Sequence, residues 1–397
     1  KLYHYMENLF NYNWELCKLE KLTDFFSGLT YSPDNVQKDG TFVLRSSNVK
    51  DNAIISADNV YVRNEVANSE HVQVGDVIVV VRNGSRSLIG KHAPINREMP
   101  NTVIGAFMTG LRSPSPKFLN TLLDTQQFNV EIHKNLGATI NQITTGEFKR
   151  MHFIVPTDED EKEKIGSLFR QLDDIITLHQ RKLDQLKELK KAYLQLMFVS
   201  MNTKNNKVPK LRFADFEGDW KQRKLGDFLE DFSKKSTIEN EYIILSSTNN
   251  GMEIREGRVS GNSNLGYKII DDGDLVLSPQ NLWLGNININ NIGQGLVSPS
   301  YKTFKIIDLN KEFLNPQLRT NKMLDQYKNA STQGASIVRR NLELDLFYQI
   351  RIFIPKNEEQ KQIGLLFRKL NESISLHQSK LDSIKYLKKA YLQNMFI

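Results

Sequence analysis

The stretch IGSLFRQLDDIITLHQRKLDQLKELKKAYLQLMF, from Ile165 to Phe198, is repeated 198 residues later as IGLLFRKLNESISLHQSKLDSIKYLKKAYLQNMF, from Ile363 to Phe396. The two copies share 23 identities in 34 aligned positions, against roughly two for unrelated sequence. The chain is therefore a tandem duplication whose best-matched part is a predicted helix. A chain with two copies of one plan is expected to perform two similar tasks.

A heptad pattern that starts at Ile165 gives each copy three apolar stripes, at positions a, d and e. This face is wider than a seam between two helices requires, so we expect each helix to pack on its twin and on something else. At about 1.5 Å per residue, each helix would be a rod of roughly 50 Å, longer than one turn of B-DNA at about 34 Å. The residues expected to pair the helices or to dock a partner are Ile165, Leu168, Phe169, Leu172, Ile176, Leu183, Tyr193, Ile363, Leu366, Phe367, Leu370, Ile374, Leu381 and Tyr391.

The segments that precede the two helices are less alike, but they share a sparse framework. Trp14 matches Trp220, and the pair Gly75-Asp76 matches Gly273-Asp274. Short β-rich runs between Gly, Asn and Asp predict a mixed α+β module with a curved sheet in each copy. The predicted strands are residues 41–44, 76–81, 242–245, 274–277 and 301–307.

These patterns predict four parts in the chain. Pro156 and Pro355 end the two modules just before acidic helix starts. The expected parts are a first module at 1–157, a helix at 158–200, a second module at 201–356 that opens with a polar linker at 201–208, and a second helix at 357–397.

Composition narrows the function only broadly. The 53 Lys and Arg against 46 Asp and Glu give a net charge of +7, which suits a polyanionic partner without requiring one. A single cysteine, Cys17, excludes an internal disulfide framework and favours a reducing compartment such as the cytoplasm. No run approaches the roughly 20 apolar residues that cross a bilayer, so no membrane partner is expected. The first residues lack both a signal-peptide pattern and an initiator Met, so we expect the true N-terminus to be missing or edited.

The most suggestive local sequence is VVVRNGSRSLIGKHAP, from Val79 to Pro94. A buried strand leads into a turn that contains Arg82, Asn83, Ser85 and Arg86, and Lys91 follows. In the major groove, Arg fits guanine O6/N7 and Asn fits adenine N6/N7, whereas Lys suits phosphates. The turn is therefore either a DNA-reading loop or a solvated polar hairpin without that role.

The corresponding turn of the second module contains Ser278, Gln280 and Asn281 and no Arg. It either recognises different bases through its amides or is a structural loop with Trp283 packed in the core. Further candidate DNA contacts at matched positions are Arg45, Ser46, Asn48, Asn141 and Gln142 in the first module and Ser246, Ser247, Arg339 and Arg340 in the second.

Catalytic and metal-binding motifs are missing from the sequence. The segment Gly84 to Lys91 imitates a P-loop, but His92 stands where Ser or Thr should bind magnesium. The sequence has no HExxH, CxxC or GxSxG pattern, and no N/D-P-P-Y/F/W tetrapeptide of amino-methyltransferases. We therefore expect no catalytic residue and no metal site here, and catalysis in another chain.

Several of these motifs together resemble one family. They are the W-x-x-x-K-L openings, PKLRFADFEGDW from Pro209 to Trp220, RNGSR-x-x-x-GK from Arg82, and the repeated helix ends HQ-x-KLD and KKAYLQ-x-MF. Over nearly its whole length the chain resembles the specificity subunit of type I restriction-modification enzymes. It departs from the pattern at Tyr3 to Asn13, which lack the PxLRF lead-in found before Trp220.

The resemblance implies an α+β fold with a pseudo-twofold internal repeat. Two target-recognition domains with mixed, curved sheets would be separated by two long helices packed as an antiparallel coiled coil, and each domain would read half of a split double-stranded DNA target. It also implies two methyltransferase subunits that use S-adenosylmethionine, and restriction subunits that use ATP and Mg²⁺. This chain would hold no cofactor of its own.

Two other functions fit parts of the sequence. The chain could be a self-contained DNA methyltransferase or nuclease, which the missing motifs disfavour. It could also be a helical adaptor that bridges proteins independently of DNA.

Overall fold

The computed structural model describes residues 13–136, 141–199, 207–255, 263–333 and 340–396. The Gly-Ala motifs at residues 137–140 and 334–337, which match between the two copies, lie outside these ranges.

Contacts divide the chain into two compact units, and each unit draws on both copies of the repeat. The first unit combines Lys1–Gln180 with Ser379–Ile397, and the second is Arg181–Gln378. Each unit thus contains one module, the first half of the long helix that follows it, and the last half of the other long helix. The four-part division expected from the sequence stays a prediction, since the contact-based units cut through both helices instead.

The first unit is built on two four-stranded sheets. One has the order β2-β11-β8-β9 and is antiparallel, and the other has the order β10-β4-β7-β3 with β10 and β4 parallel. Strand β1 pairs with β12 and so joins the start of the module to its end. The elements are β1 (Trp14–Lys18), β2 (Asp24–Ser27), β3 (Val36–Gln37), β4 (Thr41–Leu44), β5 (Val49–Lys50), β6 (Ala53–Ile54), β7 (Val60–Val62), β8 (Val77–Val80), β9 (His92–Pro94), β10 (Thr102–Ile104), β11 (Met108–Arg112), α1 (Pro116–Leu123), α2 (Gln126–Asn135), α3 (Thr145–Arg150), β12 (His152–Pro156) and the long helix α4 (Glu159–Leu196).

The second unit repeats this plan. Its sheet of order β14-β21-β18-β19 matches β2-β11-β8-β9, and its pair β13-β24 matches β1-β12. The elements are β13 (Lys221–Lys224), β14 (Leu229–Asp231), β15 (Leu245–Ser247), β16 (Met252–Ile254), β17 (Lys268–Ile270), β18 (Leu275–Leu277), β19 (Ile287–Ile289), β20 (Gly295–Val297), β21 (Lys302–Ile306), α5 (Lys311–Leu318), α6 (Asn321–Asn329), β22 (Ser331–Gln333), β23 (Arg340–Leu342), α7 (Leu344–Tyr348), β24 (Arg351–Ile354) and the long helix α8 (Asn357–Met395).

The predicted α+β fold with two long helices is confirmed, and all five predicted strands overlap observed ones, one of them at a single residue. The strand expected at 242–245 instead begins at Leu245. Ile243 is 48% exposed, and its carbonyl accepts a hydrogen bond from the backbone nitrogen of Leu296. Both long helices begin six residues before the duplicated stretch. Their first turns contain acidic side chains, which interact favourably with the positive end of the helix dipole and so explain these early starts.

The Gly-Asp pair before the central strand has the same structure in both units. Gly75 and Gly273 have φ of +98° and +81°, which favours glycine. The carboxylate of Asp76 is 1% exposed and pairs with Arg112 of β11 at 2.8 Å, and that of Asp274 pairs with Lys305 of β21 at 2.8 Å. A buried carboxylate needs such a cationic partner. These ion pairs therefore fix β8 against β11 and β18 against β21.

A tryptophan, half-buried in the first unit and buried in the second, ties each module to the start of its long helix. The indole of Trp14 donates to Glu161 Oε1 at 3.1 Å, and that of Trp220 donates to Glu359 Oε1 at 3.3 Å. In the second unit Arg212, from the PKLRF lead-in, also donates to both oxygens of Glu359 at 2.8 and 2.7 Å. In the first unit burial raises the pKa of Glu161, and the segment that corresponds to the lead-in lies outside the described residues.

The buried stripes of the long helices are a and e rather than all three. Ile165, Phe169, Leu172 and Leu183 are at most 8% exposed, whereas Ile175 at position d is 41% exposed. The same stripes are buried in α8. Within the first unit, the start of α4 and the end of α8 share one core with the module, so these parts of the two helices run in opposite directions.

About two turns from its start, each long helix approaches a neighbouring helix through a glycine. A Cβ on Gly166 would lie 2.5 Å from the backbone nitrogen of Phe118 in α1, and one on Gly364 would lie 2.8 Å from Glu312 Cβ in α5. Gly166 and Gly364 match in the repeat, so both units use the same contact to seat the module on the helix.

A buried charge network connects the first module to both long helices. Lys388 of α8 donates to Asp124 at 2.7 Å and to Asp173 of α4 at 2.6 Å. His92 of β9 places Nε2 3.2 Å from Asp124. Burial alone would raise the pKa of Asp124, but His92 and Lys388 more than offset it and bring the pKa to about 2. Lys388 therefore holds a carboxylate of the module and one of α4 at the same time.

We expect Gly166→Ala to destabilise the first unit by about 1–3 kcal/mol, because the added methyl group overlaps the backbone of α1. At an open helix position the same change would stabilise by up to about 1 kcal/mol. Urea unfolding measures the difference. Gly84→Ala is the control, since nothing lies within 4 Å of its Cβ position, and equal midpoints for both variants would contradict the contact.

The depressed pKa of Asp124 predicts an acid-sensitive first unit. Its contribution is complete above the ordinary value of 3.8 and is lost as pH falls toward about 2. Asp124→Asn should remove about 2 kcal/mol of stability at pH 7. It should also flatten the dependence of the urea midpoint on pH between about 4 and 2. An unchanged slope in the variant would show that other carboxylates carry the acid sensitivity.

Candidate nucleic-acid interface

Three chain segments of the first unit meet at the loop that follows β8. The amide of Asn83 donates to Ser46 Oγ at 3.0 Å, and the amide of Asn141 donates to the carbonyl of Gly84 at 3.0 Å. Arg82 forms a β-bridge with Gln142. The structure therefore brings together residues that the sequence analysis selected from three separate segments.

The cations of this loop lie at its surface. Arg82 stacks over the ring of Phe107 with its guanidinium carbon 4.9 Å from the ring centre. Arg86 donates to the carbonyl of Leu136 at 3.4 Å, and Lys91 is exposed. None of the three forms an ion pair with another described residue. Their charges thus remain available to an anionic partner, and Phe107 limits the directions in which Arg82 can point.

Asn83 also shapes the loop itself. Its side-chain oxygen accepts from the backbone nitrogen of Ser85 at 2.9 Å, an Asx turn that fixes the chain before Arg86. This turn is compatible with both alternatives considered from sequence, a DNA-reading loop and a solvated polar hairpin.

Two residues of the neighbouring turn that were predicted to contact DNA form hydrogen bonds within the fold. Asn48 is 0% exposed, and its amide donates to the carbonyl of Ala57 at 2.6 Å. Arg45 donates to the carbonyl of Asp58. We interpret both as supports of the surface that Ser46 helps to form.

The loop after β18 in the second unit is held by its own backbone. Ser278 N donates to Asn286 O at 2.9 Å, and Asn281 N donates to Ser278 O at 3.1 Å. Gln280 is exposed, and its carbonyl accepts from Arg340 N at 3.3 Å. Trp283 is half-buried, and its indole nitrogen has no hydrogen-bond partner within the described part of the chain.

The remaining candidates of the second unit differ in their availability. Ser247 is 2% exposed and accepts from Asn288 at 2.8 Å, whereas Ser246 is half-buried. The guanidinium of Arg340 donates to Ser331 Oγ at 2.8 Å and so ties β23 to β22. Arg339 lies outside the described residues. Ser278, Gln280 and Asn281 therefore form the more accessible polar surface.

The predicted docking residues serve mainly inside the units. Leu168, Ile176, Tyr193, Leu366, Ile374 and Tyr391 are half-buried, and Ile165, Phe169, Leu172, Leu183, Ile363, Phe367, Leu370 and Leu381 are buried. The exposed apolar residues that recur in both copies are instead Leu178 with Leu376 and Leu189 with Leu387. A periodicity at one face does not distinguish a core stripe from a docking stripe.

The residues that the structure describes contain no group of three or more His, Cys, Asp and Glu side chains arranged to hold a metal ion. Among the helices described, none combines the length and the apolar character that spanning a membrane demands.

A family model described as "Type I restriction modification DNA specificity domain" matches residues 11–188. The StySPI specificity subunit of Salmonella potsdam is 24% identical over 200 residues, which are 47% of this chain and 42% of that protein. The chain thus aligns with less than half the length of this relative. The putative MjaX specificity subunit of Methanocaldococcus jannaschii is 22% identical over 403 residues, which cover 95% of this chain and 91% of that protein.

A solved structure shares the fold. The crystal structure of the S subunit of a type I restriction-modification system from M. genitalium superposes with a TM-score of 0.65 at 14% identity, over 98% of this chain and 97% of that one. The likeness extends to the second module, which the family model does not reach.

Proposed function

We propose that this chain is the DNA-reading, non-catalytic specificity subunit of a type I restriction-modification complex. One observation carries the proposal. Each unit presents a loop between matched strands of the same sheet, residues 81–91 in the first and 278–286 in the second, and the two loops have different side chains. Equal scaffolds with unequal loops suit a bipartite target with two different half-sites.

In the first unit the proposed reading surface is formed by Arg82, Asn83, Ser85 and Arg86. Arginine can hydrogen-bond guanine through two donors, and the turn around Asn83 holds Arg86 in place beforehand. Lys91 is suited to a phosphate, which sets the register without reading a base. Ser46, Asn141 and Gln142 support this loop from the side.

In the second unit the proposed surface is formed by amides and hydroxyls. Gln280 and Asn281 can pair with the major-groove edge of adenine, and Ser278 can donate or accept. Without an arginine in this loop, the second half-site would be read by weaker, neutral hydrogen bonds.

The proposed partners are double-stranded DNA, two methyltransferase subunits and restriction subunits. S-adenosylmethionine, ATP and Mg²⁺ would bind to those subunits and supply the methyl transfer and the ATP-driven cleavage there. An assembly that acts on chromosomal DNA would work in the cytoplasm.

Footprinting of the complex with its methyltransferase subunits tests the proposal. On a duplex selected from a random library, we expect two protected segments that flank unprotected base pairs, and methylated adenine only when the partner subunits are present. A single continuous footprint would favour a different DNA-binding enzyme. No protection at all would favour a DNA-independent adaptor.

Replacement of Arg86 by Ala should weaken binding to the selected duplex by about 1–3 kcal/mol and relax base preference in one half-site only. Arg82→Ala should act in the same half-site. Competition between duplexes with single base changes measures both effects. Arg97→Ala, an exposed arginine beyond the other end of β9, is the matched control. Equal weakening on random duplexes would identify Arg86 as a phosphate contact instead.

A further inference from the structure

The residues that end α1 and α5 occupy matched positions but have opposite charges. Asp124 ends α1 and accepts from the amide of Asn52 in the β5–β6 turn. Arg319 ends α5 and donates to the carbonyl of Asn249, and to that of Asn250 at 3.4 Å, in the β15–β16 turn. Both units therefore use this position to hold a hairpin, with reversed hydrogen-bond polarity.

This reversal changes the electrostatics beside the long helix. In the first unit Lys388 is neutralised by Asp124 and Asp173. The residues at the matched positions of the second unit are Lys190, Arg319 and Asn371, so both carboxylates are replaced. Burial lowers the pKa of Lys190, and the charge of Arg319 lowers it further. Within the described ranges neither cation has an ion-pair partner, so two half-buried positive charges repel each other there.

A groove opens next to these charges. It has a cavity volume of about 430 Å³ and is bordered by four cations, Lys191, Arg319, Lys322 and Arg351. Its apolar lining includes Leu194, Met323 and Phe353, and its lining contains no Asp or Glu. The chain between Val199 and Lys207 falls outside the described ranges, and its sequence contains Lys204 and no acidic residue.

The matched groove of the first unit has a different character. It is formed by the same elements, and its lining includes the carboxylates of Asp124 and Glu131 beside Lys134 and Lys389. Lys389 is the counterpart of Lys191 in the repeat. In the second unit an acidic ligand would therefore meet cations and no carboxylate. In the first unit it would meet both cations and carboxylates.

We propose that the groove of the second unit docks an acidic segment of a methyltransferase subunit, with carboxylates against the Arg319–Lys322 side and an apolar side chain on Leu194, Met323 and Phe353. This proposal rests on the proposed function, which supplies the partner. A carboxylate beside Arg319 would offset the repulsion between Arg319 and Lys190, and the apolar lining would contribute through burial. A DNA phosphate could satisfy the cations, but it has no apolar group for the lining.

The proposal makes the two docking positions unequal. Two identical methyltransferase subunits would meet one cationic groove and one groove of mixed charge, so their affinities and salt dependences would differ. Assembly would then proceed in a preferred order, with the second unit occupied first at low salt.

Charge reversal at the matched lysines tests this inference. The intact chain is titrated with purified methyltransferase subunit, and the two binding steps are resolved by native mass spectrometry at several salt concentrations. Lys191→Glu should weaken the tighter step by about tenfold and reduce its salt dependence, whereas Lys389→Glu should leave that step within about threefold. Lys191→Gln, a milder change at an exposed position, should weaken the tighter step by a smaller factor in the same direction.

Each contrary result has a distinct meaning. If the wild-type chain binds two subunits and Lys191→Glu changes neither step, or both equally, the groove is not the acidic docking site. If Lys191→Glu leaves assembly intact but weakens binding to a random duplex, the groove is a phosphate contact and the inference is overturned. If the wild-type chain binds no methyltransferase subunit, the proposed function fails, and this inference fails with it.

Discussion

An aromatic cluster at the end of each repeat is the contact on which both units depend. In the first unit the ring of Phe396 lies 5.6 Å from Trp14, 6.0 Å from Phe118 and 6.4 Å from Phe169. In the second, Phe198 lies 6.5 Å from Trp220, 5.7 Å from Phe313 and 5.8 Å from Phe367. Each cluster joins the end of one long helix to the start of the other and to the module. Three rings packed on one phenylalanine bury a large apolar area, so this contact decides which parts of the chain belong together.

Around this shared cluster the two units differ in the charge of some of their polar side chains. The carboxylates of Asp76 and Asp274 both keep a cation, although one partner is arginine and the other lysine. By contrast, Asp124 at the end of α1 is replaced by Arg319 at the end of α5. The hairpin turn beside it offers an amide donor to Asp124 and carbonyl acceptors to Arg319. A buried polar position can reverse its sign when its partner is backbone, because each peptide offers both a donor and an acceptor.

The sequence was most informative where a residue has one physical solution. The two long helices and their starts after Pro156 follow from periodicity and the helix dipole, and the structure contains both. Of the three predicted stripes, a and e are buried, whereas position d is exposed at Ile175. Pairings between distant segments were out of reach. Nothing in the order of residues places Phe107 under Arg82 or Asp173 beside Lys388, since these contacts depend on how strands and helices pack.

The composition of each unit also limits how the chain can be divided. The first module and the helix that follows it contribute Lys1–Gln180 to the first unit. The rest of this unit is Ser379–Ile397 of the second helix, which contains Lys388, Met395 and Phe396. Without them Asp124 and Asp173 would lose their cation, and the rings of Trp14 and Phe118 would lose the ring between them. A buried carboxylate without its cation and an open aromatic core are each costly. The duplication is therefore more than two modules in series, because each unit is completed by the helix of the other copy.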